Sequence, residues 1–526
     1  MDPSVRKQTA SLRHALGEKM TAFTRLENYR DAYWQRRDPI CRDRLLWQAQ
    51  SFRHLTHLLP GERILEIGTG IGWFAEVIAK VSRGRNPITA AVCDPRLKTP
   101  AHLLQSIRRV SLESLLGSAE RRQFHYVVAQ NMVDRDNATF LLNRVYDRLV
   151  DGGQVVFFQS NPWNPIFTIR DYLRRLFRRP RPHVLVSQPQ LYELLSDVGY
   201  VRISVRFTDF VYAPLTRTLV WLLRNLSILL ENTPFVRVLA GGILIHAQKP
   251  PRIVKRHPVT LTGHVSLKGA VSVVIPCHNE EMNIRPLVEG LLGLYSDYIH
   301  EIVLVDDNST DGTRAVIEES ARADVRIIGI FRKPPNGVGF AIRDGLASAS
   351  GKWVLSMDCD FQHLLPEVED MFDAAAEGCD AVLGSRFSRH SVLINYPFAK
   401  ILANRVFHLV FNLMFRRTVR DITNNLKLMQ ADAVRGLELT ERWFAINAEI
   451  GIQLILDDWV TREVPISWIN RDFEMGQSSF SLLRSAGGYL RVLLRAAHAY
   501  RLGFGTRRPL VPRTRMGRSG TDTGTD

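Results

Sequence analysis

Short runs of Val, Ile and Leu alternate with amphipathic stretches twice along this chain. In the first half ERILEIG, ITAAVCD, HYVVAQ and GGQVVFFQ read as strands, with helices predicted over Trp73–Val81 and Thr139–Leu149. In the second half SVVIP, EIVLVDD, VRIIGI and KWVLSMD are the strands, and Ile284–Leu294, Thr313–Ala321 and Gly339–Ser348 the helices. Apolar strands separated by helices with one apolar face predict parallel sheets covered on both sides. The expected fold class is α/β in two domains, with chemistry at the carboxyl ends of the strands. Gln248–Gly269 is Pro-rich, basic and without periodicity, so 1–249 (core from about 60) and 270–504 are the expected domains, joined by a linker over 250–269. Residues 505–526 hold few bulky apolar side chains and read as a disordered tail.

Two stretches are more apolar than the rest, Leu219–Leu230, broken by Arg224, and Val406–Phe415, broken by His408. Both fall short of the roughly 20 residues a membrane-spanning helix needs. The first twenty residues lack an apolar core, so no signal peptide is expected. Near the end, Arg484, Arg491, Arg495 and His498 share one side of a helix, with Leu490, Leu493, Leu494 and Ala497 largely on the other. Gly487-Gly488 moves the expected start of that helix to Tyr489. Such a helix can lie in an anionic membrane surface or pack on a core with its basic face in water.

Of 526 residues, 45% are hydrophobic and 23% charged, which excludes disorder throughout, a collagen-like repeat and a disulfide-stapled module. Sixty-nine Lys and Arg against 53 Asp and Glu leave +16, an excess that favours an anionic partner. Arg174, Arg175, Arg178, Arg179 and Arg181 cluster in one place, and Arg416, Arg417 and Arg420 in another. No aromatic stacking platform accompanies them, so nucleic acid is not the expected partner. Five scattered cysteines without a CxxC pair fit a reducing compartment and no structural zinc. The expected location is cytoplasmic, with peripheral contact to the inner face of the cell membrane.

ILEIGTGIGWF puts Gly68, Gly70 and Gly72 directly after a strand, where the backbone can turn tightly and approach a ligand. A dinucleotide fingerprint would need its third glycine where Trp73 stands, and Glu66 would repel a pyrophosphate. The pattern E-x-G-x-G-x-G resembles motif I of class I S-adenosylmethionine-dependent methyltransferases, over about Pro60–Lys249. That resemblance implies a Rossmann-like domain binding S-adenosylmethionine. Glu66 would lie near the cofactor's cationic end, Gly68, Gly70 and Gly72 would clear room for it, and Asp94 would accept from its ribose. Ser160, Asn161, Trp163 and Asn164 either line the methyl-acceptor side or form an Asn/Pro turn.

The second half ends one strand in Pro276, Asn279 and Glu280, the next in Asp306, Asp307, Ser309 and Asp311, and a third in Asp358, Asp360 and Gln362. Carboxylates grouped at successive strand ends repel unless a cation or donor-rich ligand sits among them. Hard oxygen donors suit Mg²⁺ or Mn²⁺ completed by substrate phosphates. These strings resemble family 2 glycosyltransferases of the GT-A fold from about Val271 to Asn470. The resemblance implies donor binding of a GDP- or UDP-hexose by Pro276, Asn279, Glu280 and Asp307. Asp358 and Asp360, with Gln362, would hold the metal against the donor diphosphate.

Within that family the order DxDxQ, GSRF (Gly384–Phe387), Asn404, DIT (Asp421–Thr423), NAEIGI (Asn447–Ile452), EVPI (Glu463–Ile466) and Arg471 is similar to dolichol-phosphate mannosyltransferases and polyprenyl-phosphate glycosyltransferases. It implies that Arg386 and Arg471 bind phosphates and act with Asp358 and Asp360 in catalysis. Two departures stand out: Lys427 where the group usually has Arg, and Ser478-Ser479 in place of a late S-K, with Arg484 as the substitute. A polyprenyl phosphate is already anionic and could attack the anomeric carbon without a general base, inverting it. A hydroxyl acceptor on a glycan would need a base, for which Glu449 or Asp421 is the candidate. In that alternative the N-terminal domain is a non-catalytic binding module; in the leading reading the chain is bifunctional, a glycosyltransferase fused to a methyltransferase.

Overall fold

The computed structural model describes residues 20–32, 34, 39–94, 107–117, 122–177, 185–211, 217–250, 265–360, 365–388, 391–394, 396–469 and 482–501. Residues 251–264 of the expected linker and the whole of the expected tail lie outside them.

The first sheet contains β1 (Ile64–Ile67), β2 (Ile88–Val92), β3 (Ile107–Ser111), β4 (Phe124–Gln130), β5 (Leu149–Ser160), β6 (Val201–Thr208) and β7 (Gly242–Gln248), in the order β3-β2-β1-β4-β5-β7-β6. β7 runs antiparallel to both of its neighbours. Strand alternation divides the buried side chains between two faces: Leu65, Ile67, Val127 and Ala129 on one, Ile64, Tyr126 and Val128 on the other. Both faces are covered, as continuous apolar strands require.

The second sheet contains β8 (Val271–Cys277), β9 (Ile299–Asp306), β10 (Ile327–Phe331), β11 (Trp353–Ser356), β12 (Ala381–Ser385), β14 (Lys427–Gln430) and β15 (Thr461–Pro465), in the order β10-β9-β8-β11-β14-β12-β15; β13 (Leu393–Ile394) pairs separately with β16 (Trp468–Ile469). β10, β9, β8 and β11 are parallel, and β14 is the antiparallel exception between β11 and β12. Again Val273 and Ile275 face one core while Val274 faces the other. The architecture is α/β with two Rossmann-like sheets.

Two expectations need correction. The C-terminal helix runs Leu482–Ala496, straight through Gly487-Gly488. A Cβ at Gly488 would stand 3.0 Å from the Ala445 Cβ, so this glycine lets two helices approach closely, and packing outweighs its low helix propensity. The helix containing Val406–Phe415 begins at Phe398 and has 18 residues, long and apolar enough by composition to cross a membrane. Its polar side is nevertheless tied to its own domain: Asn404 Nδ2 donates to Thr423 Oγ1 at 2.8 Å and Asn412 Nδ2 to the Val419 carbonyl at 2.9 Å. This helix lies along the domain. The other apolar stretch is folded over the first sheet, with Arg224 buried between Asp43 (2.9 Å) and Asp209 (3.1 Å).

Candidate functional site

Parallel pairing aligns the carboxyl ends of β9, β8 and β11 along one edge, with Cys277 in register with Asp306. The loops leaving this edge are knitted together. Asn279, in the left-handed region at φ 58°, accepts from the Thr310 amide at 2.8 Å, and its own amide donates to Ser309 Oγ at 2.9 Å. The Glu280 amide donates to Thr313 Oγ1 at 2.8 Å, and its carboxylate accepts from Asn283. Pro276 is half-buried beside them. Asp307 is buried; it pairs with Arg332 and accepts from the Gly337 amide at 2.6 Å. Its carboxylate thereby fixes the loop after β10, a role and a partner (Arg332) that the motif alone did not disclose.

Asp358 and Asp360 follow β11 and are both half-buried. Asn425 Nδ2 donates to Asp358 Oδ1 at 2.8 Å, and Asn425 Oδ1 accepts from Ser356 Oγ at 2.6 Å. Asn425, missed by the sequence reading although it lies in DITNN, thus aims the first carboxylate. Between the two acids, the buried Cys359 thiol is pushed up by its hydrogen bond with Cys277, by burial, and by the charges of Glu280 and Asp360. The charges of Glu280, from the β8 loop, and Asp360, after β11, thus both act on the one thiol. Among the described residues no group of three or more His, Cys, Asp or Glu is placed to hold a metal ion by itself. Two half-exposed carboxylates fit a hard divalent ion that takes its remaining ligands from water and substrate phosphate. Gln362 and Arg471 lie outside the described residues, as do Ser478 and Ser479.

Arg386 departs from its expected role. It is buried, with Nε and Nη2 donating to both Asp421 oxygens (2.7 and 3.0 Å), Nη2 also to Thr423 Oγ1 (2.8 Å) and Nη1 to the Tyr396 hydroxyl (3.1 Å). Trp468 stacks on it with the ring centroid 5.2 Å away. Such a guanidinium braces the loop that carries Asp421 and Thr423, and four of its five N–H donors are already engaged. Burial would raise the Asp421 carboxyl, but Arg386 outweighs it and holds the pKa far below the usual range. A carboxylate so stabilised is a poor general base. Glu449, the other candidate base, is likewise engaged, accepting from the Thr440 hydroxyl at 2.6 Å and the Glu441 amide at 3.0 Å. Lys427 is fully enclosed, donates to the Asn424 carbonyl, and is brought down to about 7 by burial. It points into the protein, unlike a surface phosphate ligand.

His408 closes the back of this region. The Ile422 amide donates to its Nε2 at 2.9 Å, so Nδ1 carries the proton and donates to the Asn404 carbonyl at 2.7 Å. Burial lowers its pKa from 6.5 to about 4. Between those values the unfolded chain binds more protons, so stability falls as pH drops from about 6.5 to about 4. The expected contribution reaches about 3 kcal/mol. A His408→Gln variant should lack this part of the slope when urea unfolding is followed at stepped pH; an identical slope would count against it.

Residues 272–437 match the family model for glycosyl transferase family 2. This region is a family 2 glycosyltransferase domain. The chain is 30% identical over 186 residues to the dolichol-phosphate mannosyltransferase of Pyrococcus furiosus, covering 35% of this chain and 52% of that protein. It is 27% identical over 221 residues to the polyprenol monophosphomannose synthase of Mycolicibacterium smegmatis, covering 41% and 83%. The matched part thus spans about half the length of the first relative. Among solved structures, glucosyl-3-phosphoglycerate synthase from Mycobacterium tuberculosis aligns at 16% identity with a TM-score of 0.34, covering 44% of this chain and 78% of that one.

On the glycosyltransferase domain, the helix Phe398–Phe415 exposes Phe398, Leu402, Val406, Leu409, Val410 and Leu413, an apolar stripe at helical spacing. Arg416, Arg417 and Arg420 follow it and are exposed. The C-terminal helix takes the second of its two expected arrangements, packed on the core through Val492, Leu493 and Ala496 with Arg491 and Arg495 about half exposed. Arg491 and Arg495 pair with Glu441 at 3.2 and 3.1 Å, anchoring that helix to the domain.

The N-terminal glycine loop has the expected backbone, with Gly68, Gly70 and Gly72 all at positive φ. Its niche does not fit S-adenosylmethionine, because the chain's own side chains fill it. The helix over residues 20–32 inserts Glu27, whose carboxylate accepts from the amides of Gly70 (2.9 Å), Cys93 (3.1 Å) and Asp94 (3.2 Å). Asp31 accepts from the Ile71 amide at 3.0 Å, and a Cβ on Gly70 would stand 2.0 Å from its Oδ2. Glu66 is buried, raised to about 7 by that burial, and faces Arg30 as its cation. Nothing in the motif pointed to Glu27, Arg30 or Asp31, which lie on a helix about 40 residues upstream of the loop. Asn161 and Asn164 take the turn reading. They donate to the carbonyls of Ala240 (2.7 Å) and Leu239 (2.7 Å) and so hold the segment before β7.

Proposed function

We propose that the second half transfers a hexose from a GDP- or UDP-sugar to a polyprenyl phosphate, with inversion. The observation carrying this reading is the shared edge of β8, β9 and β11, where Glu280, Asp307, Asp358 and Asp360 gather within a family 2 domain. The β8 and β9 loops hold the nucleoside. Asp358 and Asp360 hold the divalent ion, which supplies charge neutralisation for the departing diphosphate. An acceptor phosphate oxygen attacks the anomeric carbon from the opposite face, and the bond to the diphosphate oxygen breaks. No protein base is needed, and the two candidates for one, Asp421 and Glu449, are tied up in structural bonds. Gln362 and Arg471 retain their proposed parts as metal and phosphate ligands.

A lipid acceptor must be met at a bilayer. The apolar stripe of the helix Phe398–Phe415, followed by exposed arginines, has the chemistry of a helix lying in an anionic interface. Labelled GDP- and UDP-hexoses, offered with polyprenyl phosphate in vesicles, should place the label in the organic extract. Label found only in a water-soluble glycan would favour the hydroxyl acceptor and overturn this assignment.

For the first half, the filled niche favours a binding module that docks the transferase over an S-adenosylmethionine-dependent methyltransferase. Titration calorimetry with S-adenosylmethionine should show no heat for the full chain. Glu27→Ala with Asp31→Ala should at most gain weak binding. Micromolar binding by the unaltered chain would restore the methyltransferase reading.

A further inference from the structure

The helix Pro165–Leu176 follows β5 and is fastened at its first turn. The Asn164 side chain caps it, accepting from the amides of Ile166 (3.0 Å) and Phe167 (3.3 Å), while its Nδ2 holds the Leu239 carbonyl. Beyond that turn the helix draws little support from its own chain: of residues 165–177 with a described side chain, none is buried. Ile166, Ile169, Tyr172, Leu173, Leu176 and Phe177 stand 45 to 68% exposed. A helix of about 12 residues is marginal in water unless an apolar face is packed against something.

At about 100° per residue these six side chains fall within an arc of about 140°. Arg170 and Arg174 border that arc on one side, and on the back of the helix the Phe167 ring centroid lies 4.9 Å from the Arg170 guanidinium. From Trp163 to Phe177 the sequence has three arginines against a single carboxylate, Asp171. The exposed apolar surface continues past the cap. Leu239 is 46% exposed, and Phe235, at the start of the same short turn (Val236–Leu239), is 90% exposed. The preceding helix, Arg217–Glu231, exposes Leu226 and packs Ile228 with Phe387, Tyr396 and Ile401 of the transferase. Ile401 lies on the helix Phe398–Phe415, which carries the other exposed apolar stripe. Contacts between described residues thus lead from one unpartnered helix to the other, across both domains.

We propose that the helix Pro165–Leu176 is a bilayer-binding element of the first half: it lies in an anionic lipid surface, with its apolar arc among the acyl chains and Arg170 and Arg174 at the headgroup phosphates. An arginine-bordered apolar arc complements anionic lipid, whereas a second copy of this chain, at a net charge of +16, would be repelled. The first half is then the module that holds the protein on a membrane. Lipid binding is measured without sugar transfer, so this inference stands or falls separately from the glycosyltransferase reading.

The test is flotation of the full chain with vesicles of phosphatidylcholine, with and without phosphatidylglycerol. The unaltered chain should float with the phosphatidylglycerol vesicles and be partly released by salt. Ile169→Glu with Leu173→Glu should weaken that binding at least about tenfold at an unchanged thermal midpoint, because neither side chain is buried in the protein. The helix Phe398–Phe415 offers a second contact, so a local readout is added. The five native cysteines are all buried, and an environment-sensitive dye placed on Tyr172→Cys reports this helix alone. Its emission should shift to the blue on vesicle addition and be quenched by lipids that carry a quencher in the acyl chain. Failure of the unaltered chain to float, an unshifted dye, or undiminished binding by the double variant overturns the inference. So does a dimer of the unaltered chain that the double variant dissolves, which would give this face to a second copy.

Discussion

Replacing Asp358 and Asp360 together by asparagine is expected to lower glycosyl transfer by at least about 10³-fold, because a metal clamp on a departing diphosphate contributes several kcal/mol of charge stabilisation. Asparagine keeps the shape and the hydrogen bond from Asn425 can be replaced in kind, so the fold should persist. Removing two like charges that stand close together in the metal-free protein should leave the unfolding midpoint unchanged or slightly raised. Excess chelator should reproduce the loss in the unaltered chain and add nothing to the double variant. Transfer that survives both treatments would mean that these carboxylates hold no metal, and the donor assignment would fall with them.

The second large effect concerns stability. Arg386→Met leaves Asp421 as a buried, uncompensated charge and should cost about 3–5 kcal/mol. Against the roughly 5–15 kcal/mol that holds a typical domain together, that is a severe loss. Asp421→Leu should cost a similar amount by stranding Arg386. The double variant Arg386→Met with Asp421→Leu should cost clearly less than the sum, since no bare charge remains. Urea unfolding of the three variants measures the coupling. Because the folded Asp421 pKa lies below its ordinary 3.8, the pair stabilises the protein above that pH and loses its contribution as pH falls below it. Simple additivity across the cycle would refute the buried-pair account. The result also separates this arginine from Arg471, whose proposed role is phosphate binding.

Much of the frame was legible from the chain. The helix Trp73–Val81 was placed to the residue, and the helices beginning at Thr313 and ending at Ser348 agree at those ends. Their apolar residues recur at helical spacing and their ends carry local stop signals. The GT-A resemblance was readable because DxD, GSR and EVPI each combine a strand end with charged side chains. The helix through Gly487-Gly488 was not legible, since its continuity depends on Ala445 packing against Gly488. The free or engaged state of a charge was equally hidden. Arg386, Lys427 and Glu449 look alike on paper to open ligands, yet each is enclosed by partners remote in sequence.

The sequence by itself determined two α/β units, the acids at the strand ends of the second and the glycine turn of the first, because periodicity and backbone freedom are local properties. Only the tertiary structure decided which of those groups remain available to a ligand. Glu27 lies 43 residues from the Gly70 amide it binds, and His54 meets Glu367 across the domain boundary. Hydrogen bonds and ion pairs close over such distances only after the chain has folded. An electrostatic niche is therefore open or filled according to packing, which no spacing of residues along the chain records.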